Sequence, residues 1–534
     1  MKTESLTFLA AFAAALVTVS IAHGQSIAVT KTNPTKVYMH YMPWFQTPSS
    51  LGGSQWGIHW TMVNENPNNV DASGKRQIAS HYYPMIGPYD SSDPNVIEYH
   101  MLLMKYSGVD GLLVDWYGQK GINGDINSLL SASNAIVNQT NNYGLGVGVV
   151  LEDNFAGSLT KCPTACLPDG SNSEAVSNVT QNMQYLAANY FNKANYLKAG
   201  PSNSPLMPIF GPSKIQPDSS HPQINSAALW SQIFSQSATD PTFMPLEYQS
   251  GDAGTNADGE FPWPYQDAGT SNHITSHLRP FYANQAAILK NSGKTVGGVA
   301  YPGFNDFYAQ GGWGANLFYI PENNGQTLTD TLNLYTTYSS NLDFLQLATF
   351  NDFGEGTQFE PTVEDGFADL NRIQQFTGVQ YGTAELQLIY ELYLARKKYA
   401  GKTAVQAMLD QVAADLNALN VSGARSLLGQ ASPAGDYNGD GVVDNNDYNV
   451  WKSTFGSSTI IHGSGADGNY DGVINAADFT IWRDTMSAGG SGSQSSAVPE
   501  PSALMLIILA SVALARRKRP SASFRDNARP QQSH

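Results

Sequence analysis

Asp352 and Glu355 stand three residues apart in a stretch wound with Gly354 and Gly356. Two carboxyls sharing one small site push their pKa values apart, so one keeps its proton as an acid while the other stays ionised as a base. That pairing suits cleavage of an acetal. Spacing alone does not make a site, because acidic pairs at this interval also occur on solvated helices and turns. Further polar and aromatic residues fall where apolar runs end: Trp44, Asp115, Trp116, Tyr117, Glu152, Glu247 and Asn351. Rings beside carboxylates suit a sugar, whose C–H faces stack on aromatics while its hydroxyls donate to carboxylates. A single tryptophan is explained as well by core packing; the set as a whole points to carbohydrate.

A second constellation binds rather than cleaves. DYNGDGVVDNND begins at Asp436 and DGNYDGVINAAD at Asp467, an offset of 31 residues. Hard cations require oxygen ligands at positions 1, 3, 5, 9 and 12 of a tight loop, a carbonyl at 7 and glycine at 6. The first loop offers Asp436, Asn438, Asp440, Val442, Asp444 and Asp447 around Gly441, and the second Asp467, Asn469, Asp471, Val473, Asn475 and Asp478 around Gly472. Two calcium ions are expected here, and no metal or cofactor in the large domain. A helix-like segment follows each loop, carrying Trp451 and Trp482 at matching places, which predicts a pseudo-symmetric pair.

The elements that must position Asp352 and Glu355 alternate in type. Short apolar strands are predicted at 37–42, 111–116, 147–152, 206–210, 242–247, 297–301 and 346–350, with helices such as 95–106, 173–194, 222–237 and 273–290 between several of them. This pattern predicts an α/β domain with a parallel sheet, and its size favours a (β/α)₈ barrel over an open sheet. Seven strands are visible and an eighth is not. Barrel chemistry sits at the carboxyl ends of strands, which is where the listed residues fall. The amphipathic stretch 384–419 is expected to pack helices on the outside.

Among 534 residues, 28 Lys plus Arg against 44 Asp plus Glu give a net charge of −16, which excludes a basic nucleic-acid-binding surface. Seven aspartates of the paired loops contribute to that charge. With 41% hydrophobic and 13% charged residues the chain can bury a large core. Cys162 and Cys166 are too few for a disulfide scaffold or a structural zinc site; a local disulfide and two free thiols remain open.

Residues 1–24 have the form of a signal peptide: Lys2, an apolar run over 6–22, then small residues before Gln25. The remaining organisation is a large domain over 25–428, a linker over 429–435, the paired-loop module over 436–486 and a Gly/Ser linker over 487–497. A turn, an apolar run and a basic cluster over 498–519 precede a polar tail, 520–534. Thirteen helical residues (503–515) reach only about 20 Å, short of a ~30 Å hydrocarbon core, so this is a short or transient span with its basic cluster on the cytoplasmic side. The bulk of the protein is thereby expected outside the cytoplasm: periplasmic, cell-surface or extracellular.

Several segments resemble known families. HYYPMIGPYDSSDPNVIEYHML, which opens on His81 and Tyr82, the VDWYG after it, LED at Glu152 and TFNDFGEGTQFEPT resemble glycoside hydrolase family 99, the endo-α-mannosidases and endo-α-mannanases, over most of 36–362. VYMHYMPWF and the later His59-Trp60 resemble that family's opening strand and first loop, and His59, Trp60, His81 and Tyr82 are expected to position the sugar. The resemblance implies a (β/α)₈ barrel cutting inside an α-linked polysaccharide, α-mannan or α-glucan. It matches Glu355 to the acid that later serves as base toward water. Asp352 is matched to a glutamate that takes the sugar 2-hydroxyl proton, and Glu152 to a glutamate of the sugar cleft. Asp at 352 is one methylene shorter than that glutamate, about 1.5 Å, a misplacement of a size that costs a factor near 10² if uncompensated. Gly354 stands where the mannosidases usually have histidine, and NDFGE also resembles the NDYGE of family 71, inverting α-1,3-glucanases. Asp436 to Met486 resembles a type I dockerin, implying calcium-dependent folding and a cohesin-type partner. The C-terminal segment resembles the PEP-CTERM sorting signal, implying a sorting protease. Two other readings stay open: a non-catalytic glycan-binding protein on the same barrel, and a surface structural protein assembled through the calcium module.

Overall fold

The computed structural model describes residues 26–158, 173–212, 226–267 and 272–489. The signal-like segment, both cysteines and the PEP-CTERM-like segment lie outside these. Among the described residues no helix is long and apolar enough to cross a membrane. The chain divides into two units, Met1–Thr485 and Met486–His534. Apart from the last turns of one helix, all that follows concerns the first.

Eight parallel strands form the centre: β1 (Val37–Tyr41), β2 (Gly111–Trp116), β3 (Gly146–Leu151), β4 (Ser204–Ile209), β5 (Thr242–Pro245), β6 (Gly259–Glu260), β7 (Thr295–Ala300) and β8 (Phe344–Leu347). Each pairs with its predecessor in parallel, β3 with β4 only at Leu151 and Ile209, and β8 pairs with β1, Val37 opposite Leu345. The ring closes between β5 and β6 through a parallel bridge of Leu246 to Phe261, where the Glu247 N–H donates to the Phe261 carbonyl at 2.9 Å. A closed ring leaves no strand edge exposed.

The eighth strand, invisible to the sequence patterning, is β6. Two residues are too few to show a period, and Pro262 follows after Phe261. Gly259 makes so close an approach that a Cβ there would stand 1.8 Å from the Thr295 carbonyl oxygen.

Strand residues alternate between the two faces. Tyr38, Leu113, Val150, Leu206, Met244, Phe261 and Phe344 fill the barrel interior as one cluster. Their neighbours pack outward on helices, such as Pro94–Tyr106, which starts at Asp93: its side chain accepts the Asn95 N–H, with Pro94 at the first position. The helices Thr383–Lys398, Thr403–Asn417 and Val421–Ala431 cover the outside as the amphipathic pattern predicts. Arg396 fastens them, with a two-pronged contact to Glu98 (2.9 Å each) and one to Asp410 at 2.6 Å.

The paired-loop module follows the last of these helices. Its helices, Asn445–Thr454 and Ala476–Gly489, exchange tryptophans: Trp451 Nε1 donates to the Asn475 carbonyl at 2.8 Å and Trp482 Nε1 to the Asp444 carbonyl at 2.7 Å. Each ring thus caps the loop of the other half, the pseudo-symmetric pairing expected from the repeat.

Candidate active site and cation loops

At the carboxyl ends of the strands opens a cleft of about 540 Å³, into which Trp44, Asp115, Tyr117, Glu152, Asp352 and Glu355 all project. The turn after β8 carries the central pair. Thr349 Oγ1 accepts the Asp352 N–H at 2.8 Å and meets Thr357 Oγ1 at 2.9 Å, pinching the turn shut. Asp352 Oδ1 accepts the Glu355 N–H at 2.9 Å. Gly356, at φ +63°, lies where a Cβ would strike the Asn305 carbonyl at 2.7 Å, so the turn admits glycine alone.

Burial raises both carboxyls. Asp352 is pushed up to about 7, although the N–H groups of Glu355 and Gly354 hold it down in part. Glu355 is pushed up to about 8, by burial first and then by the Asp352 charge; the Tyr308 hydroxyl, donating to Glu355 Oε1 at 2.8 Å, works the other way. Two titrating carboxyls near neutrality, one able to hold a proton while the other is ionised, are what general acid–base chemistry at neutral pH requires.

Asp115 is 2% exposed, and burial beside Glu152, Asp352 and Glu355 drives its pKa well above the usual range. Its Oδ1 has no hydrogen-bond partner within the protein although it borders the cleft. A carboxyl whose protonated form is favoured in that place is able to donate to a ligand hydroxyl. Asp115→Asn, which keeps shape and a donor, is therefore expected to hold kcat/KM within about threefold, and Asp115→Ala to lower it about tenfold. Equal losses in the two variants, measured side by side, would mean that the ionised form matters.

The cleft does not gather every expected residue. Trp44 and His59 stack within it, ring centroids 4.0 Å apart at 3°, and burial lowers the His59 pKa to about 3, leaving it neutral. Trp60 is fully buried, its Nε1 donating to the Tyr89 carbonyl. Trp116 faces the helices against Tyr185 and Tyr190, because strand alternation sends it opposite to Asp115 and Tyr117. Asn351 is buried as a brace, exchanging hydrogen bonds with the Met42 backbone and donating to the Tyr89 hydroxyl. Glu247 turns to His277 at 3.2 Å. His81 is exposed against Phe307, and Tyr82 packs under Gly356, so neither lines the cleft.

Other cleft residues escape the sequence patterning: Tyr308, Trp313, Trp263, Phe210 and Gln249. Trp313, 39% exposed at the mouth, sits edge-on to His59. Its one signal is its glycine frame, Gly311-Gly312-Trp313-Gly314. The segment GPYDSSDP works at a distance: Ser91 Oγ accepts the Phe45 N–H and Asp90 the Thr47 N–H, strapping down the loop that carries Trp44.

In the paired loops, Asp436, Asp447, Asp467 and Asp478 are at most 1% exposed, and none is in an ion pair among the described residues. Buried carboxylates are costly without a countercharge: the Lys398 ammonium stands near Asp436 and Asp447, whereas Asp467 and Asp478 have no cation within ion-pair distance among the described residues, which fits a bound cation. Positions 1 and 12 already converge: Asp436 accepts the N–H of Gly439 and of Gly441, and Asp447 those of Asn438 and Asp444. No three acidic, histidine or cysteine side chains among the described residues stand close enough to hold an ion by themselves. The donor sets depend on Asn438, Asn469, Asn475 and the carbonyls of Val442 and Val473.

Residues 33–157 match the family model for glycosyl hydrolase family 99, and residues 434–484 the dockerin type I domain. The glycoprotein endo-alpha-1,2-mannosidase of Mus musculus is 24% identical over 206 residues, 36% of this chain and 40% of that protein. The glycoprotein endo-alpha-1,2-mannosidase-like protein of Homo sapiens is 31% identical over 90 residues, 15% of this chain and 19% of that protein. The matched regions thus span about a fifth to two fifths of these relatives. The GH99 endo-alpha-mannosidase from Bacteroides thetaiotaomicron aligns over 66% of this chain and 98% of its own, at 19% identity and a TM-score of 0.46.

Proposed function

We propose that this chain, carrying family 99 glycoside hydrolase sequence at the start of its barrel and a type I dockerin domain after it, is an exported endo-acting hydrolase of an α-linked polysaccharide, with α-mannan the first candidate. The observation that carries the reading is the pair Asp352 and Glu355, both raised toward neutrality on one glycine-wound turn at the floor of an aromatic cleft. Glu355 protonates the leaving oxygen, and Asp352, the ionised partner, takes the proton of the nucleophile. If the nucleophile is the sugar's own 2-hydroxyl, its oxygen bonds to the anomeric carbon and the Glu355 carboxylate then takes the proton of the water that opens this intermediate; if it is water, that water displaces the leaving oxygen in one step and Asp352 alone takes its proton. Tyr308 holds Glu355 in place, while Trp44, Tyr117 and Trp313 supply the apolar faces on which sugar rings stack.

Incubation with a panel of α-mannans and α-glucans tests this. Release of reducing ends from internal positions is expected on at least one polymer. Tight binding without release would favour a lectin, and neither would favour a structural protein.

The paired loops are proposed to hold two calcium ions, with the six-ligand sets given above, and to present the module to a cohesin-type partner outside the cell. A PEP-CTERM-like sorting step at the C-terminus belongs to the same proposal. Chelation is expected to melt the module selectively: tryptophan emission from Trp451 and Trp482 should shift on adding a chelator and return with calcium. Emission unchanged by chelator would contradict bound calcium.

A further inference from the structure

We propose that the first cation loop is a composite site completed by the barrel: Tyr399 braces the ligand Asp436, so that cation binding in this loop is coupled to one of the contacts between the module and the barrel. This rests on reading the loops as calcium sites.

The two loops match in sequence but not in surroundings. Tyr399 follows the barrel-covering helix Thr383–Lys398, is fully buried, and donates its hydroxyl to Asp436 Oδ2 at 2.6 Å. Beside it the Lys398 ammonium donates to the Asp436 main-chain carbonyl. Asp436 is the first ligand of its loop. The equivalent residue in the second loop, Asp467, accepts only from backbone N–H groups of its own module, those of Gly463, Asp471 and Gly472. The barrel therefore touches the first ligand of one loop directly, and reaches that of the other only through a peptide unit, the Tyr390 hydroxyl donating to the His462 carbonyl while the Gly463 N–H donates to Asp467. A hydroxyl on the outer lone pair of a ligating carboxylate fixes its orientation without adding a competing charge, and removing such a partner typically weakens metal binding by about 10- to 100-fold.

The module is also held by contacts that do not involve ligands. The Ile460 N–H donates to the Ser73 carbonyl at 3.0 Å, the Tyr390 hydroxyl donates to the His462 carbonyl at 2.8 Å, and Ile460 and Ile461 pack on the main core. Losing the Tyr399 hydroxyl therefore does not detach the module, and a Tyr399→Phe variant reads the ligand brace itself. Tyr390→Phe serves as its control for the first loop, since it removes a module contact that does not reach Asp436 and lies one peptide unit from Asp467.

The test uses the full chain, stripped with chelator and titrated with calcium chloride in a calorimeter, alongside melting of the barrel with and without calcium. Wild type is expected to show two sites and a barrel melting temperature raised by calcium. Tyr399→Phe should weaken one site about tenfold or more, leave the other unchanged, and reduce the calcium-induced rise. Tyr390→Phe should leave the site that Tyr399→Phe weakens as it is. Unchanged affinities in Tyr399→Phe, or equal weakening of both sites in either variant, would overturn the composite site. Absence of any calcium heat in wild type would instead overturn the calcium reading, and the composite site with it.

Discussion

Replacing Glu355 with glutamine is expected to lower kcat on the proposed polysaccharide substrate by between about 10² and 10⁴ and to leave KM nearly unchanged. The amide keeps the shape of the carboxyl and still accepts from Tyr308, so the turn after β8 is preserved. What it loses is the proton delivered to the leaving oxygen and the base regenerated afterwards, so both halves of the reaction suffer. Reducing-end assays beside calorimetric binding of an oligosaccharide separate the two parameters. Retained turnover in Glu355→Gln would remove this residue from the chemistry.

Asp352 gives the second large effect, and in an unusual direction. Asp352→Asn is expected to cost a factor of about 10² or more, through loss of the ionised partner. Asp352→Glu, although glutamate is the residue of the resembled family, is expected to cost a comparable factor, because a carboxylate displaced by about 1.5 Å leaves the N–H groups of Glu355 and Gly354 that now hold it. Recovery or gain of activity in Asp352→Glu would mean that the turn is not built for aspartate.

The pair also sets a pH signature. With carboxyls raised to about 7 and about 8, kcat/KM should rise toward neutrality and fall above it, as one proton is shared between the two. Both folded values lie above the ordinary carboxylate range, so the folded state holds protons that the unfolded state has released. Stability is therefore lost as pH climbs from about 4 to about 8. Asp352→Asn removes that cost and is expected to raise the melting temperature at pH 8 more than at pH 5.

What the sequence discloses depends on how local the cause is. Seven strands show as apolar runs, because burial on both faces leaves a compositional trace. The strand Gly259–Glu260 shows nothing, since the approach of Gly259 to Thr295 is a tertiary fact. The paired loops are legible because a cation would dictate residue type at fixed intervals within twelve residues. Cleft membership is not local. Trp116 and Tyr117 are adjacent and equally aromatic, yet strand alternation sends one to the helices and one to the cleft. Tyr308 and Trp313 reach the cleft from a loop after β7 that carries no periodic pattern. Asn351 and GPYDSSDP stand out in the sequence for their role beneath the site, holding the turn and the Trp44 loop, rather than for contact with a ligand.

Time-resolved proton NMR of wild type with a soluble α-mannan, in parallel with Glu355→Gln, tests the central claim most directly. The account predicts a new reducing-end anomeric signal, one anomer forming first, in wild type and none in the variant. Wild type that binds the polymer yet yields no such signal, or a variant that yields it at the same rate, would contradict the assignment of Glu355 and Asp352 as a hydrolytic pair.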